Sequence, residues 1–382
     1  MPSKPKSSPS TARSFPHAML REIYEQPQCI QETIERNVEG DLIFPGAFQP
    51  IENALLAFRK IIIAASGSSR NAGLAGEIMI EDLAGAAVDV EYSSEYCCRS
   101  THAGADPIIV VITQSGETAD TFAAQREALN RGAKSIAISN VADSTIAREA
   151  SAVLHTYAGL ERAVPATKSF TAQLSILYLL ALFLARKRGR MTSEVTRTHL
   201  RQLAAIPAEI EKSLADWDAQ TADCAKMFHR SHAFLFLGRG VHYAIAREGA
   251  LKLNESSYVQ TNGLPTGELR HGPNALVDEK LLVIALATKD ASDPDSVLRY
   301  QKTLGVLEYI KSRGGKTIAI STEGDREATD IADRTIFVPA APELLLPIVE
   351  VVPLQLFAYH FAVLSGSDVD HPRNLVKSVV ND

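Results

Sequence analysis

Cysteine is scarce: four in 382 residues, none of them in a C-x-x-C pair, which argues against a disulfide framework or a structural zinc site. A reducing, cytoplasmic setting is the expectation. Positive charge is not in excess either. The formal net charge is −6, so the chain carries no electrostatic footprint for nucleic acid or an anionic membrane surface. The most apolar stretch, "LSILYLLALFLA" at 174–185, falls short of the roughly 20 residues of a spanning helix. It reads as a buried helix closed by basic "RKRGR", and no membrane partner is expected. The start, "MPSKPKSSPSTARS", lacks the apolar centre of a signal peptide and reads as a disordered tail over 1–15. Two nucleotide signatures are missing as well. "GGKT" at 314–317 resembles the end of a P-loop, but Ile310 stands at the required glycine and the strand follows instead of preceding. "SGSSRN" and "LGRGVH" both depart from G-x-G-x-x-G. Histidines and cysteines do not cluster, so neither a metal nor a redox cofactor is expected.

What is present is a plan used twice. "RKIIIAASGSSRNAGLAGEIMIEDL" and "HAFLFLGRGVHYAIAREGALKLNE" each read as strand, Gly-rich turn and helix. The apolar runs "DPIIVVIT" and "KLLVIALAT" follow, then helical segments, then the near-copies "NRGAKSIAISN" and "SRGGKTIAIST". Apolar runs alternating with helices imply buried parallel strands with crossover connections. The fold class is therefore α/β, two doubly wound parallel-sheet domains in tandem. A helical arm (16–45) precedes the first domain (46–200). A helical linker (201–224) leads to the second (225–366), and a polar tail (367–382) ends the chain.

Ligands of open α/β sheets bind beyond the carboxyl ends of strands. Three turns qualify there: "SGSSR" (66–70), "TQSGETADT" (113–121) and "LGRGVHY" (237–243). The first two carry more hydroxyls than capping requires. Ser and Thr at a helix start cap their own helix, but surplus hydroxyls beside glycines and free N–H groups also suit a phosphate. In "AREGALKLNESSY", Glu248, Lys252 and Glu255 are four and three apart and share a helix face. Such a stripe is either solvated surface or, on a packed helix, an acid–base group tuned by its neighbours. His271 in "GELRHGP" is either an exposed loop residue or a group for opening a sugar ring.

Seven motifs in order, from about residue 17 to the C-terminus, carry a resemblance. They are "EIYEQP", "TQSGETADT", "ATKSFTAQL", "FLGRG" with "EGALKLNE", "GELRHGP", "VPLQLFAYH" and "DVDHPRNLVKSV". Together they resemble the isomerase half of glutamine–fructose-6-phosphate aminotransferase (glucosamine-6-phosphate synthase), built from two sugar-isomerase (SIS) domains. The resemblance implies that Ser68, Ser69, Gln114, Ser115 and Thr118 hold a sugar phosphate, with Val164 and Ala166 beside the sugar. It implies that Glu255 moves a proton between C1 and C2, supported by Glu248 and Lys252. It further implies that His271 opens the ring from a neighbouring subunit, and that Lys377 on a lid-like tail can form a Schiff base with the ketose. A homodimer with shared active sites follows. Thr113 stands where the family often has serine, and Pro165-Ala166 where it commonly has Ala-Ser. The chain begins Met1-Pro2-Ser3, so the family's catalytic cysteine after Met, and with it a glutaminase half, is expected to be missing. The expected activity is that of a glucosamine-6-phosphate deaminase of the SIS type: glucosamine 6-phosphate gives fructose 6-phosphate and ammonia, with hexosamine or hexose 6-phosphate as partner. A related isomerase or deglycase, ammonia-dependent synthesis, and a non-catalytic sugar-phosphate sensor are the alternatives.

Overall fold

The structure, a computed structural model, describes residues 14–99, 108–231 and 233–380. The expected disordered tail at 1–15 lies almost wholly outside the described residues. The arm comprises helices α1 (Ala18–Tyr24) and α2 (Gln26–Asn37), then a small antiparallel pair, β1 (Val38–Glu39) with β2 (Leu42–Ile43). A short helix α3 (Glu52–Ala57) leads into the first repeat: β3 (Lys60–Ala65), α4 (Gly67–Ala84), β4 (Ala87–Tyr92), α5 (Ser93–Tyr96), β5 (Ile108–Thr113), α6 (Ala119–Asn130), β6 (Lys134–Ser139), α7 (Thr145–Glu149) and β7 (Ala152–His155). Two long helices follow, α8 (Lys168–Lys187) and α9 (Ser193–Phe228). The second repeat is β8 (Ala233–Gly238), α10 (His242–Ser257), β9 (Thr261–Pro265), β10 (Leu281–Ala287), α11 (Pro294–Ser312), β11 (Lys316–Thr322), α12 (Arg326–Ile331), β12 (Arg334–Val338) and α13 (Leu346–Leu364).

The sheets have the orders β4-β3-β5-β6-β7 and β9-β8-β10-β11-β12, and every pairing within them is parallel. Position by position they are the same sheet. The central strands β5 and β10 are buried along their whole length, as strands covered by helices on both faces must be. Burial of each Val, Ile or Leu there contributes roughly 1.5–3 kcal/mol.

Helix α8 is longer than the apolar core of its sequence indicated. It and the segment 343–364 are long and apolar enough to cross a membrane, but 94% and 89% of their most apolar windows are buried inside the protein. Both are central core helices. α8 packs on α4, and α13 packs on α10. Each contact is close because a glycine lies in it: a Cβ on Gly76 would come within 2.7 Å of Leu177, and one on Gly249 within 2.7 Å of Leu354. The expected domain edges at 200/201 and 224/225 both fall inside α9, a continuous helix with nothing in its backbone to mark them. The single tryptophan, Trp217, ties this helix to the second sheet through Nε1–H donation to the Phe337 carbonyl at 2.7 Å.

Candidate active site

Turn 66–69 leaves β3 and starts α4. Turn 113–118 leaves β5 and starts α6. In both, the residue at the N-cap position, Ser66 or Thr118, makes no side-chain bond to its own helix. The capping alternative therefore does not account for these hydroxyls. Thr118 instead pairs with Thr113 at 3.1 Å between hydroxyls, and Thr113 also accepts from Gly116 N–H at 3.1 Å. Gly116 has φ +71°, and a side chain there would collide with Ser144, so the sharp return of this loop requires glycine. Ser69 accepts from Gln173 of α8 at 3.1 Å.

These turns form one wall of a cavity of about 200 Å³, smaller than the roughly 300–1,000 Å³ typical of pockets for drug-sized ligands. Ser68, Ser69, Gln114, Ser115, Thr118, Val164 and Ala166 all line it, together with Lys252, Glu255 and Lys377. The lysine and glutamate of α10 come from the other repeat. They reach the cavity because α10 lies against α4, where Asn71 Nδ2 donates to Glu248 Oε2 at 2.8 Å across the domain boundary.

Glu248 does not line the cavity. It is buried behind Lys252, whose Nζ is 3.4 Å from Glu248 Oε1 and bonds directly to Glu255 Oε1. Burial raises the proton affinity of Glu248 against the opposing pull of Lys252 and Asn71. Burial works against the charge of Lys252 too, but Glu255 and Glu248 more than offset it and raise its pKa. Lys252 and Glu255 both line the cavity, and Glu255, with 17% of its side chain exposed, is the more open of the two. Tyr258, in the left-handed conformation at φ +61°, ends the helix just beyond it.

The tail crosses this region. Val379 O accepts from Ala119 N–H at 3.0 Å, the Ser378 and Ser115 hydroxyls are 2.9 Å apart, and Tyr258 OH accepts from Arg373 N–H at 2.9 Å. Lys377 Nζ donates to Glu161 Oε2 at 2.6 Å and Ala163 O at 2.7 Å. Glu161 and Gln173 escaped the sequence reading, because a lone Glu in "GLERAV" carries no spacing signal and reads as surface charge. Its side chain has no exposure. Burial disfavours its charge, but Lys377, Ser169 and Thr167 outweigh this and hold its carboxyl below the usual range.

His271 is exposed at the end of the short 3₁₀ turn Thr266–Arg270 and does not line this chain's cavity. The third expected turn, 237–243, is not at the cavity either: His242 is buried between Glu343 and Glu350. A wider hollow of about 1050 Å³ lies beyond the second sheet, beside Lys289, Asp290, Asp325 and His199 of α9. Asp325 there already accepts from Tyr300, Ser321 and Ala328, and none of the motif residues reaches it.

A family description, SIS domain, matches residues 55–183 and 227–365. The chain belongs to the SIS-domain family. It is 42% identical over 367 residues to glutamine–fructose-6-phosphate aminotransferase (isomerizing) of Chlorobaculum tepidum, a match covering 96% of this chain and 58% of that protein. The chain thus spans a little over half the length of this curated relative and corresponds to its isomerase half. The C-terminal domain of glucosamine-fructose-6-phosphate aminotransferase from Francisella tularensis superposes with a TM-score of 0.86 at 33% identity, covering 96% of this chain and all of that one. A structure titled glucosamine-6-phosphate deaminase, from Thermotoga maritima, shares the fold at a TM-score of 0.70 and 22% identity, covering 95% and 99%.

Proposed function

We propose that the chain is an amino-sugar-phosphate isomerase that works as a deaminase, converting glucosamine 6-phosphate and water to fructose 6-phosphate and ammonia. One observation carries this reading: Glu255, paired with Lys252, opens into the same small cavity as the hydroxyl-bearing turns and Lys377. The turns and the start of α4 hold the phosphate. Glu255 takes the C2 proton of the open-chain sugar, leaving an enolamine, and returns a proton to C1. Water then hydrolyses the C2 imine, releasing ammonia and leaving the ketone. Acid–base transfer of this kind contributes roughly 10²–10⁴-fold, and phosphate binding positions the carbon chain for it. Lys252 positions Glu255 through their ion pair, and Glu248 anchors Lys252 from behind.

His271, exposed on its own chain, opens the ring in the site of a second subunit, and the working unit is a homodimer. A cytoplasmic setting suits the free cysteines. The test is incubation of the purified chain with glucosamine 6-phosphate, following ammonia and fructose 6-phosphate. Stoichiometric release of both is expected. Tight binding of every hexosamine phosphate without turnover would replace the enzyme with a sensor. Mixing Glu255→Gln and His271→Asn subunits restores part of the activity if the site is shared, and no recovery after proven exchange removes His271 from it.

A further inference from the structure

We propose that Glu161 is the positioning residue for Lys377: it sets where the lysine's nitrogen sits in the cavity and latches the C-terminal tail over it. The inference rests on the functional reading above for what Lys377 does, but not for how it is held.

A carboxylate without solvent exposure is costly unless it is paired and hydrogen-bonded. Glu161 gathers its partners from the start of α8. Oε1 accepts from Thr167 N–H at 3.0 Å and Ser169 N–H at 3.1 Å, and Oε2 accepts from Ser169 Oγ at 2.7 Å. Thr167, at the N-cap position, makes no cap bond of its own, so Glu161 does that work from outside the helix. The positive end of a 20-residue helix thus fixes a negative charge, and that charge fixes the ammonium of Lys377. The second acceptor, Ala163 O, lies on the same turn. This turn is itself clamped by buried Glu22 of α1, which accepts from Arg162 N–H at 2.6 Å and Ala163 N–H at 3.2 Å.

The chain of contacts closes on itself. Asp370, on the tail, accepts from the first two N–H groups of α1, Ala18 and Met19, both at 2.8 Å. The tail therefore holds the arm, the arm holds the turn, and the turn holds the tail through Lys377. An ammonium has three donors. Two are spent on Glu161 and Ala163, leaving one for the occupant of the cavity. A cap for α8 alone would need no lysine, and ordering so long a side chain costs rotamer freedom.

Competitive acetylation of the folded chain at one fixed, mildly alkaline pH tests this, with Lys212 on the exposed side of α9 as internal reference. Glu161→Gln keeps the shape and removes the charge. It is expected to raise labelling of Lys377 relative to Lys212 by about tenfold or more, the scale of losing one charge-assisted bond. An unchanged ratio overturns the proposal. Lys377→Met approaches from the other partner and leaves the core intact. Hydrogen exchange at Ala119 and Val164, whose amides donate to the tail, should rise by about tenfold or more, and wild-type protection overturns the proposal.

In turnover assays, adding Glu161→Gln to Lys377→Met should bring no further loss of kcat, as expected of two residues acting through one interaction. Multiplicative losses mean that Glu161 only caps α8, and they also overturn the proposal. If the unaltered chain turns over no hexosamine phosphate, the functional reading fails while the labelling and exchange results still decide Glu161.

Discussion

After the matching central strands β5 and β10 the two sheets differ: α6 begins with Thr118, which does not cap it, whereas its counterpart α11 begins with Asp293, which does. Elsewhere they agree, since α7 and α12 are capped by Ser144 and Asp325 and neither α4 nor α10 has a side-chain cap. The two sheets have the same strand order, and the contrast lies in the loops after β5 and β10. The second sheet has also filled its own interior. His242 Nδ1 lies 3.0 Å from Glu350 Oε2 and its Nε2 lies 3.1 Å from Glu343 Oε1. Thr288 and Ser296 donate to these glutamates, and Arg299 Nε reaches Glu343 at 2.7 Å. Burial alone would lower the His242 pKa, but the two glutamates outweigh it and lift it to about 10. Charges supplied by the chain occupy the second sheet's interior, whereas hydroxyl-bearing turns of the first face a cavity together with Lys252, Glu255 and Lys377. The difference shows that this fold tolerates either solution. What a sheet offers a ligand depends on its loop residues, not on the strand order.

Four substitutions would break or sharpen that contrast. Glu255→Gln should cut kcat by roughly 10²–10⁴-fold while substrate still binds; steady-state rates and calorimetric binding check it, and normal turnover would dismiss Glu255 from the chemistry. His242→Gln, in the closed half, should instead cost about 3–5 kcal/mol of stability, as expected when one partner of a buried ion group is removed, measured by urea unfolding. The pH dependence has a definite sign. The folded pKa of His242 is raised, so its contribution is complete below the ordinary histidine value of about 6.5 and fades as pH rises through about 10. Wild-type stability should decline across that window, and the His242→Gln variant should lack the decline. Glu343, held down to about 2 chiefly against burial by His242, adds stability that is lost only as pH falls from the ordinary carboxylate range through that value.

Smaller effects belong to the open half. Thr118→Val should raise KM for the phosphorylated substrate by about tenfold with little change in kcat, the size of one lost hydrogen bond. An effect on kcat alone would move Thr118 from phosphate binding to chemistry. Ala166→Ser, which returns a hydroxyl to the cavity wall, should shift KM by about threefold at most, and a larger change would mark Ala166 as setting substrate choice.

Much of this was legible in the sequence. The runs "PIIVVIT" and "KLLVIALAT" became β5 and β10, and the paired "AKSIAIS" and "GKTIAIS" stretches became β6 and β11, because β-branched runs between helices have few other ways to be buried. The edge strands β4 and β9 were not read. "AVDVEY" and "TNGLP" are short and half exposed, with no apolar run to announce them. Ser68, Ser115, Thr118, Glu255 and Lys377 were named from motifs, and one cavity gathers them. His271, named the same way, lies outside it.

The sequence alone determined the repeat, the buried strands and the kinds of residue available to hold a phosphate and move a proton, since these depend on local periodicity and side-chain chemistry. Only the tertiary structure decided which partners the turn hydroxyls met, which glutamate faced the cavity and which lay behind a lysine, and that Glu161 would meet Lys377 from 216 residues away. Those outcomes depend on how α4, α8, α10 and the tail pack together, and contacts between distant segments leave no periodic trace along the chain.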